Sequence, residues 1–205
     1  MNQLAAKIKP QNSAVYLVPL AFITICLFMQ GVVGQDLSKL QVAATLDGEY
    51  WRMVTAHLIH ADWQHFLMNM TGLSLCVAVF YKDLAVRHWP MSFIALSIFS
   101  SIGLLILYRP EESYVGFSDV LHGWIMLGCC AIFAKETKLA LIVFTLFWIK
   151  IIEEQLNLPF FTSTGIDNAH IAKESHILGA IAGLLYGLLC LQDFRNKLFS
   201  PFKKS

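Results

Sequence analysis

Charged residues are scarce in this sequence. Only 14% of its 205 residues are Asp, Glu, Lys or Arg, whereas 57% are hydrophobic and the mean hydropathy is +0.59. Soluble domains carry about 25% charged residues, so this chain could not cover a soluble surface. Its apolar content excludes disorder, and its 12 glycines and 6 prolines exclude a collagen-like chain. What remains is an integral membrane protein, short enough for residues 1–205 to form a single domain.

The sequence also lacks a charge excess and the usual metal motifs. Its net charge is +1, so nucleic acid is not an expected partner. The five cysteines lie within apolar runs and form no CxxC, which indicates neither disulfides nor a metal site. His57, His60 and His65 could ligate a metal, but the HExxH motif of metalloproteases is absent. We therefore expect no metal and no other cofactor.

Six apolar stretches approach the length of about 20 residues that a membrane-spanning helix needs, although the second and fifth are short. We place them at 14–33, 66–81, 91–107, 116–134, 139–152 and 169–191. The first follows two lysines, as a signal peptide would, but it is longer than a typical apolar signal region and no A-x-A site follows. The sequence thus predicts an all-α membrane protein, a bundle of six transmembrane helices.

The basic residues predict the orientation of these helices. If the N-terminus is cytoplasmic, ten of the 15 Lys and Arg residues lie on the cytoplasmic side: Lys7, Lys9, Lys82, Arg87, Lys135, Lys138, Arg195, Lys197, Lys203 and Lys204. Cytoplasmic loops carry an excess of Lys and Arg. We therefore expect both termini in the cytoplasm.

Polar side chains cluster at the outer ends of three predicted helices. Such groups are costly within a membrane and commonly mark functional sites. The clusters are His57, His60, His65 and Asn69 at the second helix; Gly116, Ser118, Asp119 and His122 at the fourth; and His176 with Gly179, Gly183 and Gly187 in the sixth. Since all three lie at a similar depth, we expect them to converge.

The residue types in these clusters can support nucleophilic chemistry. Ser118 lies where a helix begins, and the glycine face beside His176 allows close approach of another helix. If that helix is the fourth, His176 meets Ser118, and no buried carboxylate is evident as a third member, which favours a dyad. His65 and Asn69 share a helix face and could hold an oxyanion. The alternatives are an ordinary N-cap serine and an interhelical hydrogen-bond pair.

These residues resemble the rhomboid family of intramembrane serine proteases over about residues 48–191. Four elements match in order: Trp51-Arg52, His65-x-x-x-Asn69, Gly116-x-Ser118, and His176-x-x-Gly179-x-x-x-Gly183 with Ser175 in place of an alanine. The resemblance implies that Ser118 is the nucleophile, that His176 is the general base, and that His65, Asn69 and the Ser118 N–H form the oxyanion site. It also implies transmembrane protein substrates in the lipid bilayer.

Two residues depart from the family pattern. Asp119 stands where the family usually has glycine, and His122 stands where it often has tyrosine, so both are candidates for tuning the site. Leu121-His122-Gly123, Tyr114-Val115 and the short chain resemble the rhombosortase branch. That resemblance implies cleavage of C-terminal sorting tails made of a Gly-Gly motif, an apolar helix and basic residues. It further implies a bacterial inner membrane protein whose active site faces the periplasm.

Three other functions remain open. A catalytically inactive rhomboid-like protein that binds transmembrane helices is suggested by Asp119. A glutamate-type intramembrane protease is suggested by Glu153-Glu154, although Leu158 stands where that family has arginine. A small channel or transporter would suit six helices, but the chain has no internal repeat.

Overall fold

A computed structural model describes residues 10–156, 158 and 172–199 of the chain. The long helices are α1 (Pro10–Phe28, continued by a π-helical turn, Met29–Val33), α5 (Trp63–Phe80), α6 (His88–Leu107), α7 (Ser118–Phe133), α8 (Thr137–Gln155) and α9 (Lys173–Cys190). The shorter elements are α2 (Gln35–Ser38), β1 (Leu40–Gln41), α3 (Val42–Leu46), α4 (Arg52–Thr55), a 3-10 turn (Ala56–Leu58), β2 (Ser113–Tyr114) and α10 (Gln192–Leu198).

Each of the six predicted apolar stretches corresponds to one long helix. The first five agree within about four residues at either end, while residues 169–171 of the sixth prediction lie outside the described residues. By length and composition, Val15–Val33 and His88–Leu107 could each cross a membrane, and α9 with α10, bent by 91°, could form a third crossing. The fold is that of an all-α membrane protein, and the number of six spans stays a prediction.

Helix α7 lies at the centre of the bundle and is apolar around most of its circumference. It packs against α5, α6, α8 and α9. The rings of Phe117 and Trp124 are fully buried, with centroids 5.1 to 5.7 Å from those of Phe22, Trp89 and Phe93. A helix that is hydrophobic all round is stable only when it is surrounded, which fixes the start of α7 inside the bundle.

The segment between α1 and α5 forms a folded cover on the side of the bundle where α7 begins. Arg52 is almost fully buried and donates to the carbonyls of Asp36 and Lys39, each at 2.9 Å, and to the carboxylate of Glu49. In contrast, the neighbouring Trp51 is more than half exposed. Arg52 thus holds the cover together by buried hydrogen bonds, while the exposed Trp51 ring is suited to the membrane interface.

A short antiparallel pairing connects this cover to the residues before α7. Leu40 of β1 lies opposite Tyr114 of β2, and both are buried. The backbone N–H of Gly116 also donates to the carbonyl of Ala56 at 3.0 Å. These bonds hold the chain on both sides of Val115 and so position Ser118, which lies two residues after Gly116.

Helices α7 and α9 approach backbone against backbone. A methyl group at Gly179 would overlap the Asp119 peptide, 2.6 Å from its carbonyl carbon, and one at Gly183 would lie 2.7 Å from the carbonyl carbon of Gly123. Real Cβ atoms do not approach this closely. The close approach predicted from the glycine spacing is therefore present, and α7 is the partner helix. His176, three residues before Gly179, consequently lies beside the start of α7.

Candidate active site

Ser118 and His176 are in direct contact. Ser118 is the first residue of α7 and Phe117 is its N-cap, so Ser118 is not the capping residue. The Nε2 atom of His176 lies 3.0 Å from the Ser118 Oγ. Because the first N–H groups of a helix have no partner within it, the Ser118 N–H points out of the helix start near its own hydroxyl.

A buried carboxylate lies on the other side of the histidine ring. The Nδ1 atom of His176 is 2.8 Å from Oε2 of Glu154, and both side chains are about 6% exposed. The sequence-based expectation that no buried carboxylate is available was wrong on this point. The reason is that the predicted fifth helix ends at residue 152, whereas α8 continues to Gln155 and carries Glu154 inside the bundle.

His122 lies between the serine backbone and a lysine. Its ring stacks on that of His176, with centroids 4.0 Å apart and planes 8° from parallel. Its Nδ1 is 2.7 Å from the Ser118 carbonyl oxygen, and its Nε2 is 3.0 Å from Nζ of Lys150. Lys150 in turn donates to Oε2 of Glu154 at 2.9 Å. His122 therefore packs on the candidate base, at the position where the family often has tyrosine.

Asp119 makes its contacts with the loop segments rather than with the Ser118–His176 pair. Both of its carboxylate oxygens lie 3.0 Å from Nδ1 of His57, and Tyr114 donates to Oδ1 at 3.1 Å. Burial raises the pKa of Tyr114 well above its usual value, and the Asp119 carboxylate raises it further, so the phenol remains a donor. Since Asp119 is fully buried, it anchors the start of α7 to the cover.

The two candidate oxyanion donors lie along the first turns of α5. Asp62 caps this helix by accepting from the His65 N–H at 2.7 Å. A methyl group at Gly116 would lie 2.9 Å from Cε1 of the His65 ring, so the ring covers the segment that leads to Ser118. Asn69, one turn later, is buried, and its Nδ2 has no hydrogen-bond partner among the residues that the structure describes.

The three loop histidines do not share a common centre. His57 is bonded to Asp119 and, through Nε2, to the Ser101 hydroxyl at 3.0 Å. Burial, aided by nearby His65, lowers the pKa of His60 to about 3, so its ring is neutral.

One group within the described residues has ligand atoms close enough together to hold a metal. Its members are His122, Glu154 and His176, with atoms within 4.8 Å of one another. The ammonium of Lys150 is hydrogen-bonded to both His122 Nε2 and Glu154 Oε2. The ammonium of Lys150 thus already occupies the lone pairs of His122 and Glu154 that a metal ion would use.

Sequence reasoning missed Glu154 and Lys150. The available signal was their spacing, because residues four apart share a helix face and Lys150 falls inside an otherwise apolar predicted helix. A charged pair in that setting indicates a partner inside the bundle. The partner, His176, is 22 residues away in the sequence and could not be identified from the spacing alone.

A serine hydroxyl bonded to a histidine whose second nitrogen meets a carboxylate is the arrangement of serine protease sites, here set among apolar helices. Residues 47–193 match the Rhomboid domain model. The chain therefore belongs to the rhomboid family, whose members are serine intramembrane proteases that act on transmembrane substrates. The glutamate-type protease and the channel are accordingly set aside.

A curated relative agrees with this assignment. The chain is 22% identical over 173 residues to "Putative rhomboid protease YdcA" of Bacillus subtilis (strain 168), and the match covers 82% of this chain and 78% of that protein.

Proposed function

We propose that this protein is an intramembrane serine protease in which Ser118 is the nucleophile and His176 the general base. The observation that carries the proposal is the 3.0 Å contact between Ser118 Oγ and His176 Nε2 inside the bundle. A histidine at this distance can take the serine proton as the hydroxyl attacks. The Glu154 carboxylate on Nδ1 supports the same assignment, because it favours a ring whose free lone pair is on Nε2.

The proposed reaction begins when the outer end of a substrate helix unwinds beside Ser118. Glycine in that segment favours unwinding, since it disfavours helix by about 1 kcal/mol relative to alanine. Ser118 Oγ bonds to the scissile carbonyl carbon while its proton passes to His176 Nε2. The protonated ring then donates that proton to the leaving amine, and water, or an amine acceptor, releases the acyl group from Ser118 by the reverse sequence.

The developing negative charge needs donors on the opposite side of the carbonyl. We assign these to the Ser118 N–H, His65 and Asn69. The buried amide of Asn69, whose Nδ2 is unpartnered among the described residues, supports its inclusion. Each donor in such a site is worth about 3 kcal/mol of transition-state stabilisation.

The proposed substrates are membrane-anchored proteins with a C-terminal Gly-Gly tail, as in the rhombosortase branch. The support is the resemblance at Tyr114-Val115 and Leu121-His122-Gly123. The distribution of lysine and arginine supports cytoplasmic termini, and the resemblance to the rhombosortase branch implies a bacterial inner membrane. In that orientation the starts of α5, α7 and α9, which carry His65, Ser118 and His176, face the periplasm.

The second candidate is an inactive rhomboid-like protein that binds transmembrane helices. Its sequence support was Asp119, which could have disturbed the nucleophile. The bonds of Asp119 to His57 and Tyr114 favour an anchoring role instead, which weakens this alternative.

Cleavage in a membrane system tests the proposal. The chain is co-expressed with a reporter that carries a Gly-Gly motif, an apolar helix and basic residues, and with a generic rhomboid substrate helix. Tail-dependent cleavage that is lost in Ser118→Ala and His176→Ala supports protease and branch together. Cleavage of the generic helix alone would leave the protease and remove the branch. A folded, inserted protein that cuts neither would favour the inactive alternative.

A further inference from the structure

The donor and acceptor of each hydrogen bond around Ser118 can be deduced by starting from the Ser118 carbonyl oxygen. The Ser118 carbonyl oxygen can only accept, so the Nδ1 of His122 at 2.7 Å must carry a proton and donate. The Nε2 of a neutral His122 is then an acceptor, and it takes a hydrogen bond from the Lys150 ammonium at 3.0 Å. The arrangement at this end therefore contains a cationic lysine and a neutral histidine.

The same logic continues through the carboxylate to the nucleophile. Lys150 also donates to Glu154 Oε2, and a carboxylate beside an ammonium can only accept. The Nδ1 of His176 at 2.8 Å must therefore be protonated and donate to that oxygen. This leaves the Nε2 lone pair of His176 to accept from the Ser118 hydroxyl at 3.0 Å. The chain of hydrogen bonds thus starts and ends on Ser118.

We propose that Glu154 and Lys150 are positioning residues that close a hydrogen-bond ring from the Ser118 carbonyl back to the Ser118 hydroxyl. This inference rests on the proposed function of Ser118 and His176. Glu154 fixes the Nδ1–H tautomer of His176 and stabilises the imidazolium that forms when Nε2 takes the serine proton. Lys150 supplies the counter-charge of the buried Glu154 and fixes the neutral His122 ring that stacks on His176.

The kinetics of serine labelling test the role of Glu154. The wild-type chain and the variants are treated in detergent with a fluorophosphonate at several concentrations. The concentration dependence gives the maximal rate of labelling and, separately, the fluorophosphonate concentration at half of that rate. Glu154→Gln offers an amide that competes for the wrong tautomer, so we expect the maximal rate to fall about 100-fold or more, with the half-saturating concentration unchanged. Glu153→Gln removes the neighbouring buried carboxylate and serves as the matched control, with wild-type kinetics expected. A wild-type rate in Glu154→Gln overturns the proposal.

A charge swap separates positioning from a merely structural ion pair. Lys150→Glu/Glu154→Lys keeps an i,i+4 pair and the net charge, but places an ammonium against Nδ1 of His176. The proposal predicts that the swapped chain, shown by thermal unfolding to be folded, still labels about 100-fold or more slowly than the wild type. Recovery of labelling in the swap would overturn the proposal, since an ion pair needed only for folding should stabilise the protein whichever position carries the lysine.

The tautomer itself can be observed without any activity. Imidazole ¹⁵N chemical shifts of His176, assigned by comparison with His176→Ala, distinguish Nδ1–H from Nε2–H. The ring predicts Nδ1–H in the wild type and a population with Nε2–H in Glu154→Gln. Nε2–H in the wild type overturns the ring even if the protein is an active protease. Conversely, Nδ1–H in a chain that neither labels nor cleaves supports the ring and removes the proposed function.

Discussion

The crossing of α7 and α9 holds the two proposed catalytic residues at their distance, so an added methyl group there has a calculable effect. In Gly179→Ala the new Cβ overlaps the Asp119 backbone, whereas ordinary contacts begin near 3.4 Å. The helices must therefore separate by about 1 Å, since backbone atoms cannot rotate aside. Overpacking of this kind costs about 1–3 kcal/mol of stability. It also moves His176 away from Ser118, and a 1 Å misplacement can lower a rate about 100-fold.

Two measurements on the same preparation check this reasoning. Thermal unfolding in detergent gives the stability, and fluorophosphonate labelling gives the state of Ser118. We expect Gly179→Ala to lower both. Gly72→Ala is the matched control, because its Cβ would meet only the flexible end of Leu121 at 3.0 Å, and both readouts should stay near the wild type. Unchanged unfolding and labelling in Gly179→Ala would refute the account of the helix crossing.

Three further substitutions address the start of α7 and the proposed oxyanion site. Asp119→Gly introduces the usual family residue, but it removes the carboxylate partner of buried His57, so we expect a loss of about 3 kcal/mol in thermal unfolding and no gain in cleavage; higher cleavage would contradict the anchoring role. Gly116→Ala should cost about 1–3 kcal/mol, because φ is 140° and the methyl meets the His65 ring; unaltered unfolding would contradict this. Asn69→Ala should lower kcat about 100-fold without changing KM or unfolding, and a wild-type kcat would remove Asn69 from the oxyanion site.

The helices and their order could be predicted because apolar run length is a local property of the sequence. The glycine spacing on α9 also predicted a close helix neighbour, and that neighbour is α7. What the sequence left open was which helix it would be, since α5, α6 and α8 are largely apolar as well. The contact of Ser118 with His176 follows from that choice of neighbour.

The charged part of the site could not be predicted in the same way. Glu154 lies just beyond the predicted fifth helix, because hydropathy ends that helix at 152, whereas α8 continues to Gln155. The main partner of Asp119 could not be predicted either, because His57 lies 62 residues away, whereas Tyr114 lies only five residues before it. Both cases concern pairing of buried groups across the fold, where sequence separations of 22 residues for Glu154–His176 and 62 residues for His57–Asp119 carry no local pattern.

The central claim is that Ser118 is an activated nucleophile, and covalent labelling tests it most directly. The purified, folded chain is treated with a fluorophosphonate and the modified residue is located by peptide mass spectrometry. The account predicts a single adduct on Ser118, which is absent in Ser118→Ala and strongly reduced in His176→Ala. A folded chain that carries no adduct, or an adduct on another serine that persists in His176→Ala, would contradict it.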